Sequence, residues 1–175
     1  MAYSKNDCVQ VTIEDIGVSG EGIGKIDGYT LFVKDTVIGD VVNVKIMKAK
    51  KNYGYARLVD IVKPSKDRVE PACAIARQCG GCQIQAMSYE AQLKYKQKLV
   101  SDDLKRIGGL TEGADYEMCD ILGMEEPFRY RNKAQYPVGE DKDGNIVMGF
   151  YAGHTHSIIP VSYTHLRAHE TPEHL

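Results

Sequence analysis

Three cysteines stand within ten residues of one another, as Cys73-x5-Cys79-Gly80-Gly81-Cys82. Thiolates bind soft and borderline metals, and a C-x2-C pair lets two sulfurs reach one centre around a tight turn. Gly80-Gly81 permits that turn because glycine accepts backbone angles that side chains resist. A third thiolate upstream suits a cubane cluster, whose irons receive several sulfurs. Cys8 and Cys119 stand alone, and an odd count of five argues against a disulfide framework. Spacing does not choose between zinc and iron–sulfur. A fourth ligand is needed for either closed site, and His154, His156, His165 and His169 are available downstream. Cys79-x2-Cys82 with His165-x3-His169 copies the lettering of a zinc finger, but the halves are too far apart to form one.

A second chemistry is electrostatic. The chain has a formal net charge of −2, yet Lys45, Lys48, Lys50, Lys51, Arg57, Lys63, Lys66 and Arg68 crowd a window holding only Asp60 and Asp67 as acids. Such a basic stretch in a mildly acidic chain is a candidate footprint for nucleic acid, against the plainer reading of a solvated surface. A further set, Arg129, Arg131 and Lys133 interleaved with Tyr130 and Tyr136, has the mixture that grips phosphates and stacks on bases. Gly20-Glu21-Gly22-Ile23-Gly24 imitates a phosphate loop, but no helix comes after it to offer an N-terminus.

The elements that must position these residues are short strands and one helix. Val9, Val11 and Ile13 alternate with polar neighbours, the two-residue period of a half-buried strand. Asp27-Gly28 predicts a hairpin into residues 29–33, Gly39-Asp40 a turn into 41–47, and the basic turn 48–52 leads to a strand over 55–62 that Pro64 closes. Four or five strands with glycine turns and no room for a helix predict a small barrel of the OB type. Ser88 is a suitable N-cap for a helix that Gly108-Gly109 ends, with Tyr89, Leu93, Val100, Leu104 and Ile107 expected on its packed face and Lys94, Lys96, Lys98 and Lys105 on its wet one. Residues 128–138 and 146–151 read as a hairpin around an acidic loop at 140–145. The fold class is therefore mainly β with one clear helix. No apolar run reaches the roughly 18–20 residues of a membrane span and no signal peptide is evident, so the expectation is a cytoplasmic protein without a membrane partner.

Together these segments resemble the bacterial RNA uracil-5-methyltransferase family, which modifies 23S ribosomal RNA or transfer RNA. The likeness covers about residues 8–160. It is carried by Gly22-Ile23-Gly24, Gly28, Leu31-Phe32-Val33, Gly39-Asp40-Val41-Val42, Pro64-Ser65, Arg68 and Pro71. It continues through Cys73, Cys79-Gly80-Gly81-Cys82-Gln83, Tyr89 to Leu93, Lys96, Tyr130-Arg131-Asn132-Lys133 and Gly149-Phe150-Tyr151. The resemblance implies an OB-like TRAM barrel over 1–65, a partial α+β iron–sulfur region over 66–160, and an unassigned tail over 161–175 with the look of foreign sequence. It implies that Cys73, Cys79 and Cys82 hold a [4Fe–4S] cluster with a fourth cysteine that this chain lacks. With structured RNA as the implied partner, ribosomal or transfer, the basic residues expected to contact it are Lys45, Lys48, Lys50, Lys51, Arg57, Arg131 and Lys133. S-adenosylmethionine would serve only the complete enzyme, with neither catalytic nor S-adenosylmethionine-binding residues in these 175. No protein partner is expected. Ala86 departs from the family, whose members often carry His there. The contrasting expectation is a standalone RNA-binding metalloprotein, an adaptor without catalysis.

Overall fold

The computed structural model describes residues 3–128, 130, 133, 135–153 and 155–160. It divides into two compact units, one of residues 1–70 with 83–122 and one of 71–82 with 123–175.

In the first unit five strands close into a barrel: β1 (Cys8–Ile16), β2 (Gly22–Ile26), β3 (Tyr29–Val33), β4 (Val41–Ala49) and β5 (Tyr53–Lys63). Their order around the barrel is β1-β2-β3-β5-β4, antiparallel except for the parallel pair β3 and β5. Alternation does the sorting. Val11 and Ile13, Leu31 and Val33, and Val42, Val44 and Ile46 all point inward and are buried, and Tyr29 and Ala56 complete the core. Closure removes the sheet edges that would otherwise be free to pair with other chains.

The glycine run that mimics a phosphate loop is structural. Gly22 and Gly24 lie in β2, and a Cβ on Gly24 would come within 2.5 Å of both the Thr12 carbonyl oxygen and a Val11 methyl. Asp27 (φ 48°) and Gly28 (φ 80°) form the expected tight turn between β2 and β3.

The turn into β4 is tied down by a buried carboxylate. Asp40 has no exposed surface and accepts the N–H groups of Val37 (2.7 Å) and Ser65 (2.8 Å). Arg68 closes on it with Nε 3.0 Å from Oδ1, while its Nη2 pairs with Oδ2 and also donates to the Asp35 carbonyl (3.0 Å). Burial by itself raises the Asp40 pKa, but the bonds from Arg68, Ser65 and Val37, with the guanidinium charge, outweigh it and hold the carboxyl below its ordinary value.

Helix α1 (Tyr89–Arg106) starts where Ser88 predicts it: the Ser88 hydroxyl accepts the Ala91 N–H at 3.3 Å. Beyond its C-cap at Ile107, Gly109 takes φ +66° and the Leu110 N–H returns to the Leu104 carbonyl. The packed face differs from the expectation. Tyr95 is buried, with Ala91 and Leu99 beside it, against Ile16, Val37 and Met87 of the same unit. Val100 and Ile107 are exposed instead, at 52% and 82%. At about 100° per residue Tyr95 lies nearly opposite Leu93, so apolar spacing alone chose the wrong stripe. The winning stripe carries a tyrosine whose ring fills the seam and whose hydroxyl donates to the Gly17 carbonyl at 2.9 Å. Lys98, expected on the wet face, joins Asp15 (2.9 Å) and Asp102 (2.8 Å). These contacts place the helix with the barrel's unit rather than with the residues around the cysteines.

The second unit holds a three-stranded sheet, β6 (Val138–Glu140), β7 (Ile146–Tyr151) and β8 (Ile158–Pro160), with β7 central and all pairs antiparallel. The hairpin is present, but among the described residues its first arm runs over Val138–Glu140 rather than from Phe128, and β8 is an addition. The turn is fixed by Asp141, whose carboxylate accepts the N–H groups of Asp143 and Asn145, both at 2.9 Å. Among the described residues no helix is long and apolar enough to cross a membrane.

Candidate nucleic-acid interface

The basic residues of the barrel meet because β4 and β5 are long antiparallel neighbours joined by a short turn. Lys45 is the register partner of Arg57, and Lys48 that of Tyr55. Lys50 and Lys51 occupy the turn itself, both exposed. That turn is anchored from the core by Tyr29, whose hydroxyl donates to the Tyr53 carbonyl (2.7 Å) and accepts the Lys50 N–H (3.3 Å). Gly54 makes room for it, since a Cβ there would lie 2.9 Å from the Tyr29 hydroxyl. Five of the seven residues expected to touch RNA are thus gathered along one β4–β5 ribbon. Lys133 is exposed in the second unit, and Arg131 lies outside the described residues.

Beside these cations the structure places a feature that the basic-residue pattern does not reveal. Along β5 the burial alternates, with Gly54 and Ala56 inside and Tyr53, Tyr55 and Arg57 outside. Phe32 on β3 is the register partner of Tyr55. The three rings form one cluster, with centroids 5.5 Å apart for Phe32–Tyr55 and 5.9 Å for each ring to Tyr53. The signal available in the sequence was large and small residues alternating through Tyr53-Gly54-Tyr55-Ala56-Arg57, which marks an aromatic outer face over a tight inner one.

The cysteines do not assemble in the same way. Cys73, Cys79 and Cys82 share the second unit. Cys79 bridges to Ala152, the Gly80 N–H reaches the Tyr151 carbonyl at 2.9 Å, and the Gly81 N–H points to the Cys79 sulfur at 3.4 Å. A Cβ on Gly80 would lie 2.7 Å from the Tyr151 carbonyl oxygen, so the Gly80-Gly81 step lets this loop lie against β7. Among the described residues no group of three or more Cys, His, Asp or Glu converges on a metal-sized site. The donor set suits iron or zinc, and among the described residues the three sulfurs are not gathered around one centre. His154 and the histidines of the tail lie outside the described residues.

Residues 5–59 match the family model of the TRAM domain, which coincides with the closed barrel. An uncharacterized RNA methyltransferase of Halalkalibacterium halodurans is 49% identical over 156 residues, covering 89% of this chain and 33% of that protein. One of Clostridium tetani is 48% identical over 155 residues, with the same two coverages. By this likeness the chain carries a TRAM domain and is similar to part of proteins named RNA methyltransferases. The chain spans about a third of the length of these relatives. The fold is shared with Pyrococcus abyssi tRNA (uracil-54, C5)-methyltransferase, whose crystal structure holds S-adenosyl-L-homocysteine. That match has a TM-score of 0.53 at 24% identity and covers 86% of this chain and 31% of that one. The basic ribbon therefore sits on the TRAM barrel itself, at the end built from β4, β5 and their turn.

Proposed function

We propose that this chain is the RNA-binding front part of an S-adenosylmethionine-dependent RNA uracil-5-methyltransferase, forming 5-methyluridine in ribosomal or transfer RNA within the cytoplasm. The observation that carries the reading is the convergence of Lys45, Lys48, Lys50, Lys51 and Arg57 on one ribbon of a TRAM barrel in a chain similar to part of proteins named RNA methyltransferases. Their work is positional. Ammonium and guanidinium groups neutralise phosphates, displace condensed counterions and fix the register of the RNA, while carrying no sequence information by themselves. The donor, S-adenosylmethionine, supplies the methyl group, and in this reading it is held by the part of the family's length that this chain does not span.

The reading includes an iron–sulfur site on the loop of Cys73, Cys79 and Cys82. It is supported by three thiols within ten residues and by the Gly80-Gly81 turn between two of them. The loop would have to gather its sulfurs on loading, and no step of methyl transfer is assigned to the cluster. Iron and acid-labile sulfide in protein reconstituted without oxygen, lost in Cys79→Ser, would support the site; zinc alone, or no metal, would refute it.

Two measurements test the main reading. The purified chain should bind structured RNA with log K falling against log salt at a slope of about −3 to −5, as five phosphate contacts require. Deleting the gene from its host should remove 5-methyluridine from ribosomal or transfer RNA in nucleoside mass spectrometry. Unchanged 5-methyluridine would refute the assignment of the reaction, and salt-independent or absent binding would refute the assignment of the ribbon.

A further inference from the structure

We propose that Cys79 and Cys82 are an oxidation-sensitive dithiol that closes into a disulfide across the Gly80-Gly81 turn, leaving Cys73 as a thiol, and that the closed pair cannot ligate metal. The second half rests on the iron–sulfur reading above; the disulfide itself does not.

Two of the three clustered cysteines are the ends of one turn, with Gly80 and Gly81 as its central residues. The ends of a β-turn lie within about 7 Å of one another, Cα to Cα, and a disulfide spans about 4.4–6.8 Å. The Cys79 sulfur also faces the right way. It accepts the Gly81 N–H at 3.4 Å, which holds it over the turn, beside the residue that precedes Cys82. Neither glycine has a side chain to come between the sulfurs, and a Cβ on Gly81 would itself touch the Cys79 sulfur at 3.4 Å. The turn is held against β7, where the Gly80 N–H donates to the Tyr151 carbonyl at 2.9 Å. Cys73 is placed differently. It stands at the start of a separate series of tight turns, in which the Ala76 N–H returns to the Cys73 carbonyl and the Cys79 N–H to the Ile75 carbonyl. Cys8 and Cys119 belong to the first unit.

The oxidant is a peroxide. Cys82 is exposed and Cys79 half-buried, so Cys82 meets the peroxide first. Its sulfur bonds to one peroxide oxygen as the O–O bond breaks, and the departing hydroxide takes the thiol proton to become water. The Cys79 sulfur then attacks the Cys82 sulfenic acid. The S–S bond forms, the S–O bond breaks, and a second water leaves with the Cys79 proton. Two thiols have given up two electrons and two protons, and the peroxide has become water. A dithiol reductant reverses the step by exchange.

The test treats the full chain, metal-free and freshly reduced, with stoichiometric hydrogen peroxide, then blocks it with iodoacetamide and digests it with trypsin. Cleavage after Arg68, Arg77 and Lys94 separates residues 69–77, which hold Cys73, from residues 78–94, which hold Cys79 and Cys82. The 78–94 peptide should be unblocked and about 2 Da lighter than its reduced form, while 69–77 carries the alkyl group. Dithiothreitol before blocking should restore both alkyl groups on 78–94, and Cys73→Ser should leave the pairing unchanged. Alkyl groups on all three cysteines after peroxide, or a cross-link between the two peptides, overturns the pair. Ligation is read with cobalt(II) alone, whose thiolate bonds absorb visibly: the reduced chain should show that absorption and the peroxide-treated chain should not. Equal absorption from both overturns the block on ligation. Absorption from neither refutes the metal reading of the loop, and the peptide masses still decide the disulfide.

Discussion

Replacing Asp40 with alanine should unseat the junction between β3, β4 and the end of β5. The side chain is wholly buried and serves two backbone N–H groups and a guanidinium. Removing it leaves the Val37 and Ser65 N–H groups without acceptors and strands Arg68, whose side chain is only 18% exposed. An unsatisfied buried donor costs about 1–3 kcal/mol, and breaking a buried ion pair on one side costs about 3–5 kcal/mol. These effects overlap because they share one carboxylate, and water can reach Arg68 in part, so the expected loss is about 3–5 kcal/mol in urea unfolding monitored by circular dichroism. That is a large share of the roughly 5–15 kcal/mol a domain possesses. The pH dependence has a definite sign. The folded pKa of Asp40 is depressed, so its contribution is complete above the unfolded value of about 3.9 and is lost as pH falls through the lower folded value. The parent should therefore weaken in that acid window, and Asp40→Ala should weaken there less. A loss below about 1 kcal/mol at neutral pH, with an unchanged acid slope, would refute the clamp.

The same packing sets three further outcomes. Gly24→Val should lower the melting temperature and cost more than about 2 kcal/mol, because even its Cβ meets the Thr12 carbonyl and Val11 at 2.5 Å; a neutral result in a thermal melt would show that β1 and β2 can separate there. Met87→Ala should cost about 2–5 kcal/mol and speed amide exchange in α1 more than in the barrel, since Met87 is 2% exposed where the helix packs on Ile16 and Val37; uniform exchange rates would argue against that seam. The combined Lys48→Ala, Lys50→Ala and Lys51→Ala variant should make the salt slope of RNA binding shallower by about 2–3 without altering the fold, and an unchanged slope would place the phosphates elsewhere.

The barrel was legible because its strands alternate cleanly and because turns such as Asp27-Gly28 admit few conformations. The helix was legible in its ends and not in its face. Ser88 and Gly109 act locally, through one hydroxyl and one left-handed residue, whereas the choice of stripe depends on what the barrel offers. Two apolar stripes run along α1, and the one with fewer aliphatic residues won because Tyr95 satisfies its hydroxyl at Gly17 while filling the seam. Periodicity counts apolar residues and has no access to that hydrogen bond. The beginning of β6 was misplaced for a related reason: basic and aromatic residues from Phe128 onward have strand-like spacing, but among the described residues the register with β7 starts at Val138.

The residues that carry the family likeness divide by physical role, and several of those in the first unit shape the barrel itself. Gly24 admits β1, Gly39 turns at φ 92° beside Ser65, and Asp40 and Arg68 form one buried pair that reaches from the β3–β4 connection to the chain beyond Pro64. A motif of this kind identifies a fold because only a few side chains can meet its steric and electrostatic demands. The surface that would meet RNA is under looser demands: any exposed cation can face a phosphate, and any aromatic ring can face a base. This asymmetry explains why the sequence pointed to the barrel through Asp40 and Gly24 while passing over Tyr53 and Tyr55. Those two rings became visible as a site only when parallel pairing with β3 brought Phe32 beside them.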